Sequence, residues 1–362
     1  MKTKTKKEKL SALPAILIAA GGTGGHITPG ISIAEAWLAS GGRVVLATLM
    51  KNIDYPDIVR LARNEAVSIV AYDAPRLTKN PLQIVAFIRR FLSAYRLVRH
   101  AAKVEHVSAV LGMGGYSSFP AVFFAIVHRL PLYLCEQNAR WGIVTRIARG
   151  FARRIFLAFE AGRNLPEKFV VTGNPLRAMF AKVKPRAGAA KQQKIRHLLV
   201  IGGSQGASDL NKLYLAFAQS PAAKNVRCTV ATGAQAYNEI KALSRKSDTI
   251  LPFIEDMPAA YNACDAVVAR CGSGTLFEIL WSQKPAFLIP YPFAAADHQA
   301  ANAQMIIRRM PGVICDHRPF DSTKALGQLL RFVAEPVEAK PFSTGTAAEL
   351  QITRYLEQDL KL

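Results

Sequence analysis

A few short stretches of this 362-residue chain carry side chains able to do chemistry. In GGTGGH, residues 21–26, His26 stands among four glycines and is the one side chain there with acid–base capacity near neutral pH. In GSGTLFE, residues 272–278, Ser273, Gly274 and Thr275 open a helix whose free N–H groups and positive dipole end suit a diphosphate. Glu278, one turn after Thr275, can accept hydrogen bonds from both hydroxyls of a ribose. The same pair also fits a helix-capping box, so the pattern leaves both roles open. In FIEDMP, residues 253–258, Phe253 can stack on a base while the backbone of Ile254 reads its edge. Asn138, at the end of an apolar run, can bond a sugar or its own loop, and Arg177 in TGNPLR can reach a phosphate. Asp297, His298 and Gln299 gather at another helix start.

The elements that must position these groups follow one plan. Ala15 to Ala20 is a short buried strand, Gly21, Gly22, Gly24 and Gly25 form a loop with little side-chain bulk, and Ile31, Ile33, Ala34 and Leu38 have helical spacing after Pro29. Leu198–Ile201, then Gly202, Gly203, Ser204, Gln205 and Gly206, repeat the plan, and GMGGYSSFP, residues 112–120, is a third strand-to-helix glycine turn. Such loops let backbone N–H groups approach an anion or sugar closely, and several at the strand ends of one sheet line a common crevice. Taken singly, each also fits an ordinary strand–helix turn. None is GxGxxG with a ribose-binding acid about 20 residues on, which argues against NAD.

Length and a 50% hydrophobic content fit two domains with separate cores. The formal charge is +22, with +14 in residues 1–174 and +8 in the remainder, a field that attracts nucleic acid, acidic lipid or a phosphorylated substrate alike. Five scattered cysteines without CxxC and seven histidines without ligand spacing give neither a disulfide framework nor a zinc site, and fit a reducing compartment. The basic start followed by LSALPAILIAA imitates a secretory signal, but cleavage after Ala20 would remove the strand that presents the first glycine loop. No apolar run reaches the roughly 18–20 residues that span a bilayer.

Along the chain, strands are predicted at 43–49, 67–72, 107–111, 131–135, 153–158, 168–171, 227–232, 249–251, 266–269 and 285–290. Helices are predicted at 57–66, 82–103, 234–245, 259–263 and about 345–360, and 181–194 reads as a solvated linker or surface insertion. Residues 82–103 stand out. Leu82, Val85, Phe87, Ile88, Phe91, Leu92 and Tyr95 make the first half apolar around much of its circumference, ringed by Arg89, Arg90, Arg96, Arg99 and Lys103. That suits a membrane surface, or a core helix with solvated arginines.

Together GGTGGHITPG, GMGGYSSFP, EQNA, GNPLR, GGSQGA, FIEDM, RCGSGTLFE and DHQAANA, in this order over residues 15–350, resemble the MurG family, the peripheral membrane glycosyltransferases of bacterial peptidoglycan synthesis. The resemblance implies an α/β GT-B fold: two Rossmann-like domains facing a central cleft, residues 1–174 and 175–338, with a C-terminal helix within 339–362 returning to the first. It implies inverting transfer of N-acetylglucosamine from UDP-GlcNAc to the 4-hydroxyl of the muramoyl sugar of undecaprenyl-pyrophosphoryl-MurNAc-pentapeptide (lipid I to lipid II), in cell wall biogenesis, cell shape and division. The family's donor contacts map onto Thr23, Gly24, Gly25, Asn138, Arg177, Ser204, Ile254, Ser273, Gly274, Thr275, Glu278 and Gln299. Glu278 would hold the ribose, Ile254 the uracil and Gln299 the GlcNAc hydroxyls. Acceptor contacts fall on Gly22, His26, Gly114, Gly115 and Tyr116, and membrane contacts on Leu82, Val85, Ile88, Arg89, Arg90 and Phe91. The implied partners are lipid I, anionic inner-membrane lipids at the cytoplasmic face, and other cell-wall synthesis and division proteins. Cys135, where the family usually has His, and Cys271, Ser273 and Gly274 depart from the family pattern and bear on fine donor geometry.

No Asp-x-Asp metal motif is present, so helix dipoles and N–H groups are expected to stabilise the departing diphosphate with no cofactor or metal required. His26, expected in a cleft-facing loop and titrating near working pH, is the candidate base. Competing readings are another UDP-sugar enzyme of the same fold with a lipid acceptor, or a basic nucleic-acid-binding protein, which the absence of a recognition motif disfavours.

Overall fold

The structure, a computed structural model, describes residues 13–74, 81–160, 162, 165–183, 194–203, 206–317, 319–335 and 347–360, the side chains of 81–83 and 295 excepted. Ser204 and the Leu82 side chain, among the predicted site residues, and most of the predicted linker lie outside the described residues.

Two parallel sheets account for the apolar runs. The first holds β1 (Ala15–Ala19), β2 (Arg43–Leu49), β3 (Val67–Tyr72), β4 (Ala109–Gly112), β5 (Leu132–Glu136), β6 (Arg154–Leu157) and β7 (Phe169–Val171), in the order β3-β2-β1-β4-β5-β6-β7. Its helices are α1 (Gly24–Ala39), α2 (Pro56–Leu61), α3 (Pro81–Val104), α4 (Phe119–Val127) and α5 (Ile143–Ala148). Every residue of β1 is buried because both faces of a parallel sheet are covered. Leu17, Val45 and Val110 enter one core cluster, while Ile16, Ile18, Val44 and Leu111 enter another. The alternation is the period of two along each strand.

The second sheet holds β8 (His197–Ile201), β9 (Arg227–Ala231), β10 (Thr249–Leu251), β11 (Ala266–Ala269), β12 (Ala286–Leu288) and β13 (Gly312–Ile314), in the order β10-β9-β8-β11-β12-β13. Around it lie α6 (Ser208–Ala218), α7 (Tyr237–Leu243), α8 (Met257–Ala263), α9 (Ser273–Ser282), α10 (His298–Ile306) and α11 (Ser322–Ala334). The last helix, α12 (Ala348–Asp359), returns to the first sheet's side, where Ile352 and Leu356 join the cluster containing Ile31 and Trp37. Asp359 fixes its end, accepting two hydrogen bonds from the Arg154 guanidinium at 2.6 and 2.7 Å.

In each sheet the order reverses at one place, between β1 and β4 and between β8 and β11. Loops leaving the C-terminal ends of those strands diverge and leave a crevice. These are the loops that carry GGTGGH, GMGGY, GGSQG and RCGSG. The Phe159 ring, after β6, meets the Phe277 ring of α9 edge-on with centroids 5.2 Å apart, so apolar contact also joins the two halves.

Several boundaries differ from the sequence reading. The first helix begins at Gly24, with Pro29 inside it, so the turn before it is only 21–23 and His26 belongs to the helix's first turn, not to a loop. The helix predicted to run to 66 stops at Leu61, where the Asn64 carbonyl oxygen of the side chain accepts from the Ala66 N–H and turns the chain into β3. The strand predicted over 285–290 is Ala286–Leu288; prolines at both ends of the predicted segment supply no N–H to a ladder. The helix predicted at 234–245 is Tyr237–Leu243, and Arg245 beyond it is drawn to Asp248 at 2.8 Å. Strand β13 and helix α11 were not distinguished in sequence.

Candidate active site

On the first sheet's side, Thr23 precedes α1 and its hydroxyl lies 3.3 Å from Nδ1 of His26. Gly24 and Gly25 occupy the first turn, where backbone N–H groups lack partners within the helix. Gly22, at φ +97°, donates its N–H to the Asn52 side-chain oxygen at 3.0 Å. Gly114 and Gly115, at φ +82° and +70°, make the β4 turn a conformation that side chains rarely adopt. A Cβ on Gly115 would stand 3.4 Å from the His26 ring. The two turns and the imidazole therefore form one surface, with half-buried Tyr116 beside it.

Burial, with a smaller contribution from the charge of His298, lowers the His26 pKa to about 4. This corrects the expectation that it titrates near working pH: the imidazole is neutral there.

On the second sheet's side, α9 starts at Ser273 after Gly272. Ser273 is buried, and its hydroxyl has no hydrogen-bond partner. The capping reading of Thr275 and Glu278 fails, because no side chain caps α9. Glu278 instead accepts from the Tyr261 hydroxyl at 3.3 Å and lies 3.8 Å from Arg177. Burial raises its pKa to about 7, with Arg177 and Tyr261 working in the opposite direction. Ile254 is buried in the core cluster under this corner, and Phe253 is 55% exposed.

Gln299 spends its side-chain oxygen on the backbone N–H groups of Cys271 and Tyr291, at 3.1 and 3.0 Å. Its amide nitrogen is the part left for a ligand. Asn138 likewise gives its side-chain oxygen to Asn302, which donates to it at 3.1 Å.

Asn302 was not singled out in sequence. Fully buried within α10, it accepts from the Ala139 N–H at 2.8 Å and also donates to the Cys271 carbonyl at 3.3 Å. It thus ties the EQNA loop of one half to the RCGSG loop of the other. The available signal was an asparagine, a poor helix former, between alanines inside a helical segment. Arg270 was missed as well: it is buried, bonds Asp209 at 2.6 Å and holds the carbonyls of Ile289 and Pro290. Cys135 and Cys271 are buried, and burial pushes both thiols up, so neither supplies a thiolate.

A separate cavity of about 550 Å³ lies between α1, α9, residues 171–181 and the start of α12. Arg177 alone of the predicted site residues lines it, so the cleft chemistry is elsewhere.

The predicted membrane helix divides into two faces. Ala94, Val98 and Ala102 are buried, whereas Val85, Ile88, Arg89 and Arg90 are exposed, with Ile84 and Leu92. Phe91 is corrected: it is half-buried against Phe119 and Phe123 of α4, each 5.4 Å between centroids. Exposed Phe123 and Val127 extend the apolar surface onto α4. Among the described residues no helix is long and apolar enough to cross a membrane.

The sequence profile of the glycosyltransferase family 28 N-terminal domain matches residues 16–157, and that of the family 28 C-terminal domain matches 197–354. The chain is 32% identical over 337 residues, 89% of each chain, to the UDP-N-acetylglucosamine–N-acetylmuramyl-(pentapeptide) pyrophosphoryl-undecaprenol N-acetylglucosamine transferase of Geotalea daltonii. It is 34% identical over 331 residues to the protein of the same name from Verminephrobacter eiseniae, covering 88% of this chain and 90% of that one. Among solved structures it is similar to Acinetobacter baumannii MurG, with TM-score 0.73 and 23% identity over 95% of this chain and 99% of that one. The calicheamicin glycosyltransferase CalG4 shares the fold at TM-score 0.63 and 14% identity, over 96% of this chain and 94% of that one.

Proposed function

The chain belongs to the MurG family of family 28 glycosyltransferases, and from that premise we propose that it transfers N-acetylglucosamine from UDP-GlcNAc to the 4-hydroxyl of the muramoyl sugar in undecaprenyl-pyrophosphoryl-MurNAc-pentapeptide, with inversion and release of UDP. The observation that carries the reading is one cleft with two unlike walls: a neutral imidazole between two glycine turns, and opposite it a helix start with a carboxylate one turn on.

In the proposed displacement, the acceptor oxygen attacks the anomeric carbon from the face opposite UDP. The bond from that carbon to the diphosphate oxygen breaks, and its electron pair leaves with UDP. The acceptor proton passes to Nε2 of His26, the candidate base. An imidazole held neutral is ready to accept it, and the acceptor's own diphosphate, bound near the two glycine turns, would stabilise the imidazolium that results. Glu278 would accept from the ribose hydroxyls, the Ile254 backbone would read uracil, and the Gln299 amide nitrogen would donate to GlcNAc hydroxyls. Arg177, Asn138, Thr23, Gly24 and Gly25 complete the donor contacts in this reading. The N–H groups of Ser273, Gly274 and Thr275, with the unpartnered Ser273 hydroxyl, would receive charge developing on the diphosphate without a metal.

A polyprenyl acceptor keeps its tail in the bilayer, so the enzyme must work at a membrane surface. The exposed Val85, Ile88 and Leu92 of α3, beside Arg89 and Arg90, support docking on anionic lipid at the cytoplasmic face. The test is incubation with labelled UDP-GlcNAc and a short-chain lipid I analogue in EDTA. Label should pass to the lipid. UDP binding without transfer would redirect the reading to another acceptor, and transfer that needs added magnesium would overturn the metal-free step.

A further inference from the structure

Gln137, between Glu136 and Asn138, is only 3% exposed, and neither its carbonyl oxygen nor its amide nitrogen has a hydrogen-bond partner. Its surroundings are well fixed. The Glu136 carboxylate accepts from the N–H groups of Asn138 and Gly142, at 3.1 and 2.8 Å, and Asn302 holds Asn138 and Ala139. The carboxamide faces the reacting side of the cleft. Its Oε1 lies 3.4 Å, and Cδ2 of His26 3.5 Å, from the point where a Cβ on Gly114 would stand. Gly114, which has none, leaves that space open between them.

A buried amide with two unmet groups is costly, and an apolar side chain of the same size would not bear that cost. The residue gains only when a ligand meets both groups. We propose that Gln137 is a recognition residue for the acceptor sugar, pairing with a neutral group that both donates and accepts, as a sugar hydroxyl or acetamido group does. A diphosphate offers only acceptors and would leave Oε1 opposed by like charge. The donor contacts lie mainly on the opposite wall. Parting of the two halves at the Asn302 contact, on the next two residues, admits the sugar to the carboxamide. This inference rests on the acceptor reading given above.

The test compares wild type with Gln137→Leu and the unbranched Gln137→Met. The measurements are steady-state kinetics in both substrates, thermal midpoint, and inhibition by a short-chain polyprenyl diphosphate lacking the sugar. Both variants should keep or raise the midpoint, keep KM for UDP-GlcNAc within about twofold, and lose roughly 10- to 100-fold in kcat/KM for the acceptor, the worth of two neutral hydrogen bonds. Inhibition by the sugarless diphosphate should be unchanged. Unaltered acceptor kinetics overturn the inference, as does a lowered midpoint with both substrates affected, the mark of a structural residue. Equal weakening of the diphosphate inhibitor overturns the sugar assignment. Absence of transfer by the wild type overturns the acceptor reading itself, whereas an active wild type with indifferent variants overturns this inference alone.

Discussion

Asn302→Leu is expected to loosen the closed form of the enzyme more than it unfolds the chain. Leucine has the branched shape and heavy-atom count of asparagine with bulkier methyl ends, so the change opens no cavity, crowds the site slightly and removes the polar contacts. Two of the three hydrogen bonds cross between the halves, to the Ala139 N–H and the Asn138 side chain, and the third, to Cys271, stays within one half. At about 1 kcal/mol for each neutral bond, about 2 kcal/mol is lost from the contact between halves and about 1 kcal/mol from the stability of the second. A shift of about 2 kcal/mol changes the closing equilibrium roughly 30-fold. Turnover should fall by about that factor if catalysis needs the cleft closed, while UDP affinity, set mainly within the second half, should change only a few-fold. The assay pairs kcat with the radius of gyration from small-angle X-ray scattering, with and without UDP. Asn302→Asp adds a control of sign: it places a carboxylate against the Cys271 and Asn138 oxygens in a fully buried site. It should therefore be worse than leucine at neutral pH and recover in acid. Wild-type turnover and scattering in Asn302→Leu would refute the reasoning. So would a general loss of stability with no change in closure.

Three further outcomes are expected. Burial raises the Glu278 pKa to about 7 from an ordinary value of 4.5, so the fold binds a proton that the unfolded chain has released in that window, and stability falls as pH rises through it. Glu278→Gln should match wild-type thermal stability at pH 5 and exceed it at pH 8; calorimetric UDP affinity should weaken below pH 7 in wild type but stay flat in the variant. The His26 shift runs the other way: with its pKa lowered to about 4, the fold loses stability as pH falls from 6.5 toward 4. The acid limb of kcat/KM should carry no ionisation of His26 near 6.5, the kcat limb should lie higher because bound acceptor diphosphate favours imidazolium, and His26→Ala should abolish most turnover; near-normal turnover would exclude it as base. Replacing Val85, Ile88 and Leu92 with Ser should release the protein from anionic vesicles while leaving its thermal midpoint unchanged, whereas Phe91→Ala should cost about 2 kcal/mol of stability, read by urea denaturation, and leave vesicle binding intact.

The sheets were legible because strands buried on both faces read as unbroken apolar runs: β2 and β11 begin and end where predicted. Helix starts were less legible. Glycine usually signals a loop, yet Gly24 and Gly25 lie inside α1, because Ile27 and Ile31 bury against the sheet and tertiary packing outweighs glycine's poor propensity. That one displacement moves His26 from a loop to the first turn of a helix, and with it the imidazole's surroundings and pKa. Amphipathicity had a similar limit. The sequence of α3 shows which residues are apolar, but only α4 decides that Phe91 turns inward while Val85 and Ile88 do not. Contacts across the cleft were out of reach altogether. Asn138 and Asn302 are 164 positions apart, and nothing local in either segment requires the other. A hydrogen bond of that kind is created by the docking of two sheets, and it is there that an uncommitted side chain such as Gln137 stands out, since its neighbours on both sides have found partners.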